Sequence, residues 1–110
     1  MKLKEIKGEN SMDVLAEIIP YITNLALDDE VAVLFKRRKL EKGETPRSAL
    51  LTRIRDGLPA LMKNHKEDFE AIACITRGIS AEEFAESITM SELLSIVLEL
   101  ITDDAFSMLF

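Results

Sequence analysis

Residues 89–102 read Thr89-Met90-Ser91-Glu92-Leu93-Leu94-Ser95-Ile96-Val97-Leu98-Glu99-Leu100-Ile101-Thr102. From Leu93 to Ile101, seven of nine residues are large and apolar, and only Ser95 and Glu99 interrupt them. With Glu92 and Thr102, those two form one narrow polar stripe at helical spacing. A helix with so little polar surface is buried on most sides. Its start is marked by Thr89 with Glu92 three residues later, the spacing of a capping box.

Outward from this segment the chain reads as helices almost everywhere. Four glycines, three prolines and no alternating apolar–polar run leave little material for a sheet. A weak alternation from Leu3 to Ile6 predicts at most a short extended arm at the N-terminus. Ser11 or Asn10 can cap a first helix whose apolar positions are Val14, Ile18, Ile22 and Leu25, with Leu15, Ile19 and Ala26 beside them. Pro20 falls inside that pattern, where it removes a backbone donor and crowds the preceding turn, so a kink or break near Ile19 is expected. Asp28 caps a short second helix, Asp29 to about Lys39, with Val31, Leu34 and Phe35 inward. Its acidic start and basic end both suit the helix dipole.

A connection from Leu40 to Thr45 turns at Gly43. Thr45-Pro46 then joins a capping hydroxyl to a proline at the first helical position. Leu50, Ile54, Leu58, Leu61 and Met62 line one face of this third helix, and Gly57 and Pro59 leave open whether it is one piece or two. Asn64 with Glu67 has capping-box spacing before a face of Phe69, Ile72, Ala73 and Thr76, which Gly78 ends. Ser80 with Glu83 repeats the spacing for a short helix around Phe84. The expected architecture is all-α: one compact domain over residues 1–110, a bundle of five to seven helices, several short. Its expected core is Val14, Ile18, Ile22, Leu34, Phe35, Leu50, Ile54, Phe69, Ile72, Leu94, Val97 and Leu98. The last residues, Asp103 to Phe110, form no polar tail, so Met108-Leu109-Phe110 either folds back on the core or meets another chain.

At 110 residues the chain is near the commonest domain size and can bury a real core. No apolar run reaches the roughly 18 residues a membrane span requires. Met1-Lys2-Leu3-Lys4 has no apolar stretch behind it, so no secretory signal is expected. The single cysteine, Cys74, lies among Ile72, Ala73 and Ile75 and reads as a small buried hydrophobe in a reducing compartment, which makes the expected location cytoplasmic.

Charge is sorted along the chain. Residues 36–66 carry ten of the fourteen basic side chains and three acids, a local +7, while the flanks together carry −13. A basic band in an acidic molecule can steer a partner or let copies dock acidic flank to basic middle, and homo-oligomers are one expected outcome. Helical surfaces are charged in any case, and part of the band already has a structural reason in the helix dipole.

No catalytic set emerges. The only histidine, His65, has no Cys or His companion at metal-ligand spacing. The glycines form no phosphate-cradling loop, and helix capping explains Asp28-Asp29-Glu30 and Asp103-Asp104, around which no calcium-loop pattern stands. The chain therefore reads as a binding protein and not an enzyme, with no catalytic, cofactor or metal residues and no cofactor. The candidate partner-binding residues are Lys36, Arg37, Arg38, Arg53 and Arg55 in the band, and Leu93, Leu100, Phe106, Leu109 and Phe110 near the end. A small nucleic-acid-binding or regulatory protein using the 36–66 band is the alternative. Against it stand the pI near 4.8 and the lack of aromatics interleaved with the bases.

The opening Met1-Lys2-Leu3-Lys4-Glu5-Ile6-Lys7-Gly8-Glu9, followed by Asp13-Val14-Leu15-Ala16, resembles the tail assembly chaperones of long-tailed phages and prophages of Gram-positive hosts. So do Lys63-Asn64-His65-Lys66-Glu67 leading into a helix, and the ending in which a short acidic-capped helix precedes Thr89, a Leu-rich helix, Asp103-Asp104 and Leu109-Phe110. The likeness covers nearly the whole chain in order of elements. Arg47 to Arg55 matches no pattern of the family. The resemblance implies a chaperone in the host bacterial cytoplasm that coats the aggregation-prone tape measure protein until tail tube subunits polymerise around it. It also implies a longer product made by frameshifting near the end of the short form, whose extension recruits tail tube protein.

Overall fold

A computed structural model describes residues 8–37 and 39–110. Among these residues the secondary structure is helical, with no strand: α1 (Glu9–Ala26), α2 (Asp29–Phe35), α3 (Pro46–Asn64), α4 (Lys66–Arg77), α5 (Ala81–Ser87), α6 (Met90–Thr102) and α7 (Asp104–Ser107). The N-terminal arm expected at Leu3–Ile6 lies outside the described residues.

Four of the seven starts are set by side-chain caps at positions legible in the sequence. The Asp28 carboxylate accepts from the Glu30 amide at 3.0 Å, Thr45 from Ser48 at 3.1 Å, Ser80 from Glu83 at 3.1 Å and Thr89 from Glu92 at 3.1 Å. Each satisfies an amide that has no partner inside its own helix. At Thr45 the box closes reciprocally, since its own amide donates to the Ser48 hydroxyl at 2.9 Å. A fifth side-chain cap is buried: Asp103 accepts from Ala105 and Phe106 to open α7.

Several boundaries depart from the sequence reading. The N-cap of α1 is Gly8, at φ +69°, rather than Asn10 or Ser11. The helix then runs unbroken through Pro20, because both Pro20 and Ala16, whose carbonyl loses its usual donor, are exposed to solvent, while Ile18, Ile22 and Leu25 stay seated in the core. α2 stops at Phe35 rather than near Lys39, because Lys36 turns extended at ψ 129°, so Lys36 does not sit in a last helical turn. Asn64 does not cap α4 but ends α3; His65 alone separates the two helices, at φ −130° and ψ 37°.

α3 passes through Gly57 and Pro59 as one helix, and the packing explains Gly57. A methyl group there would sit 2.7 Å from Leu34 Cβ and 3.3 Å from the Glu30 carbonyl oxygen, so the missing side chain is what lets α2 lie against α3. α1 packs along α4, which makes the bundle two helix pairs, α1 with α4 and α2 with α3. α6 crosses onto α2 and continues into α7.

The core between them comprises Ile18, Ile22 and Leu25 of α1, Val31, Leu34 and Phe35 of α2, Leu61 of α3, Phe69 and Ile72 of α4, and Ile96, Val97, Leu100 and Ile101 of α6. Of the expected core, Val14, Leu50, Ile54 and Leu98 are only half-buried and Leu94 is 45 % exposed. The polar stripe of α6 was placed rightly, but its outer surface is wider than that stripe and includes Leu94 beside exposed Met90 and Ser91. The chain end folds back on the core. Phe106 is fully buried, 5.0 Å from Phe35 edge-to-face, and Phe110 completes a trio of rings at 5.1 and 5.2 Å.

Candidate partner-binding surface

α1 carries more apolar residues than its partners cover. Ile18, Ile22 and Leu25 are buried, whereas Met12 is 72 % exposed, Leu15 54 % and Ile19 at the margin of exposure. Met12, Leu15 and Ile19 are spaced i, i+3 and i+7 and therefore form one row. Asp13 and Glu17 project from the opposite side of the helix at about 100° per residue, so the row is free of charge.

Beside this row runs a groove of about 250 Å³ between α1 and the returning chain end. Ser11, Val14, Leu15, Ile18 and Ile22 line it from α1, and Ala105 and Leu109 line it from the chain end. The far wall exists because the Asp103 cap and the buried Phe106 ring fix the last turn. Met108, which does not line the groove, is 84 % exposed.

Of the apolar candidates near the end, Leu109 therefore lines the groove, whereas Leu100 and Phe106 are buried. Those two are core residues and offer no surface to a partner in this fold. Leu93 and Phe110 are half-buried and packed on the core. The sequence reading missed the outer row of α1. The signal was there in Leu15 and Ile19, written as a second apolar series beside the first, and a helix has only one side to bury.

The basic candidates are largely engaged within the molecule. Arg37 pairs with Asp104 at the start of α7. The Arg53 guanidinium donates to the Leu34 carbonyl at 2.7 Å, serving the C-terminal end of α2 where carbonyls lack helical partners. Arg55 pairs with its neighbour Asp56 at 2.8 Å, which raises the guanidinium's pKa and lowers that of the carboxyl through their hydrogen bond. Lys36 is exposed, and Arg38 lies outside the described residues. The outward row of α3 reads Arg47, Leu51, Arg55, Pro59 and Lys63, all exposed, with cations two turns apart.

One further cluster brings remote residues together. His65, at the α3–α4 junction, has Nε2 2.7 Å from Asp28 Oδ2 and Nδ1 3.0 Å from Asp68 Oδ2. Asn24 of α1 donates to the other Asp68 oxygen at 3.0 Å. Burial alone would lower the imidazole pKa, but the hydrogen bonds and charges of Asp68 and Asp28 outweigh it and hold His65 above its ordinary value of 6.5. The hydrogen bond from His65 likewise holds Asp28 below the usual carboxylate value, against a smaller effect of burial. Cys74 is half-buried on α4, and burial, with Glu70 and Glu83, pushes its thiol up and away from the reactive thiolate. Among the described residues, no group of three or more His, Cys, Asp or Glu could hold a metal, and no helix is long and apolar enough to cross a membrane. Compared with protein-family models, with curated proteins and with solved structures, the chain matches none.

Proposed function

We propose that this chain is a tail assembly chaperone of a long-tailed phage or prophage, a binding protein rather than a catalyst, which keeps the tape measure protein soluble during tail morphogenesis. The observation that carries the reading is the charge-free row Met12, Leu15 and Ile19 beside the groove closed by Ala105 and Leu109. An amphipathic client helix would lay its own i, i+3, i+7 anchors along such a surface, apolar contact setting affinity. The order of caps and the Leu-rich helix that resemble the family support the same reading from the sequence side.

In this reading Arg47 and Lys63, exposed on the outward row of α3, give neighbouring copies on one long client basic contacts for acidic flanks. A longer frameshifted form would carry its tube-recruiting extension from the chain end, close to the groove. Nucleic-acid binding is the weaker alternative, since Arg37, Arg53 and Arg55 each already have a partner within the fold.

The test is co-expression with a long helical tape measure protein encoded beside this chain. The client should remain soluble and co-purify with the wild-type chain, and the complex should survive high salt. A client that stays insoluble and never co-purifies defeats the proposal, and binding to duplex or single strands that falls steeply with salt would favour the alternative.

A further inference from the structure

The two helix pairs are joined by two very short connections, Leu27–Asp28 between α1 and α2 and His65 between α3 and α4. Both connections pass from one pair to the other, and they meet. We propose that His65 is a proton-dependent clasp, which when protonated locks the α1–α4 pair to the α2–α3 pair at the point where both connections cross.

The chemistry follows from the partners. Ionised carboxylates only accept hydrogen bonds, so holding Asp28 and Asp68 together requires a hydrogen on both ring nitrogens, which only the imidazolium has. Charge assistance makes both bonds strong. Loss of the proton leaves one ring nitrogen as a lone pair aimed at a carboxylate, so one of the two bonds becomes a repulsion.

The charged groups that face the ring are Asp28 from the α1–α2 turn and Asp68 from α4. α1 contributes the uncharged Asn24 through Asp68, while the neighbouring Lys63 and Lys66 side chains are exposed to water. The His65 side chain is only 15 % exposed, so little water stands ready to replace a lost partner. The clasp is anchored on both sides by backbone. Asp28 caps α2 through its other oxygen, and the Asp28 and His65 carbonyls accept the amides of Ala32 and Phe69 at 2.8 and 2.9 Å.

The sign of the effect is fixed by the two directions of shift. The His65 contribution is complete below its unfolded value of 6.5 and disappears as pH rises through its higher folded value. The Asp28 contribution is complete above its unfolded value of 3.8 and disappears as pH falls through its lower folded value. The clasp is therefore fully closed in mildly acidic solution and releases toward alkaline pH.

The direct test is an NMR titration of the His65 ring in the full chain, with hydrogen exchange followed at the Ala32 and Phe69 amides. In the wild type the ring should titrate above 6.5, with both nitrogens bearing hydrogen at about pH 5.5. Protection of the two amides, corrected for intrinsic base catalysis, should fall as pH rises past 6.5 through the higher folded value of the ring. Asp28→Asn keeps a good helix cap and removes the charge, so its ring should titrate lower and the pH-dependence of protection should shrink. His65→Gln should abolish that dependence. Titration of the wild-type ring at or below 6.5, or protection that does not change over this range, overturns the proposal without recourse to any variant.

Discussion

Two apolar parts of the molecule, α6 with the chain end and α1, each bury one set of side chains and leave another in solvent. In α6 and the chain end, Ile96, Val97, Leu100, Ile101 and Phe106 are buried. In α1, Met12, Leu15 and Ile19 face solvent beside buried Ile18 and Ile22. The difference lies in what surrounds each helix. α6 crosses α2, reaches α4 through the Arg77–Glu99 pair at 3.1 Å, and is followed by a turn that brings Phe106 onto Phe35. α1 packs on α4 and, to a lesser extent, on α2, and it meets the chain end along the groove. Apolar content states that a surface prefers cover. Topology decides whether the fold itself provides it, and in our proposal the uncovered remainder of α1 is where the client docks.

The largest effect should come from the covered region. Phe106→Ala removes a fully buried ring that touches both Phe35 and Phe110 and is expected to cost about 3–5 kcal/mol, read as a lower thermal or denaturant midpoint. It should also dissolve the far wall of the groove, because Leu109 is held by the same turn. A near-neutral Phe106→Ala would mean that the chain end adds little to the core, and the contrast between the two regions would fail.

A smaller effect separates structural from surface arginines. Arg53→Met keeps the aliphatic stem and deletes the bond to the Leu34 carbonyl, with an expected cost of about 1–2 kcal/mol. Arg55→Met, on the exposed row of α3, should leave the unfolding midpoint essentially unchanged, since its pair with Asp56 is open to solvent. Equal effects in parallel denaturant titrations would remove the distinction between a cation that finishes α2 and one that faces outward.

Much of the fold was legible because its signals are local. A cap and its target amide lie within three residues, so Asp28, Thr45, Ser80 and Thr89 could be placed from spacing alone, and the inward positions of α2 and α4 followed from period. Spacing misled at Asn64 and at the start of α1, whereas the misses in packing turn on what another element does. Nothing near Gly57 announces that Leu34 needs its space. Nothing within α1 says that no helix covers Leu15. The candidate site was legible only in part for the same reason. Leu109 was among the residues singled out, but Leu100 and Phe106 are apolar too and are drawn inward, and the separation of 37 positions between Asp28 and His65 hides the clasp from any reading by spacing.

The smallest expected change in stability is the sharpest test of the uncovered region. Met12→Ser and Leu15→Ser, singly and together, replace side chains that are mostly in water already, so each should move the unfolding free energy by no more than about 0.5 kcal/mol. If the row is a docking surface, the same double variant should lose the client in co-purification while its thermal midpoint stays at the wild-type value. Asp13→Ser with Glu17→Ser, on the opposite side of the same helix, should leave client binding intact and serves as the matched control. A double variant at Met12 and Leu15 that unfolds several degrees lower would show that these residues are already covered within the protein. One that keeps both its midpoint and its client would place the binding surface elsewhere on the molecule.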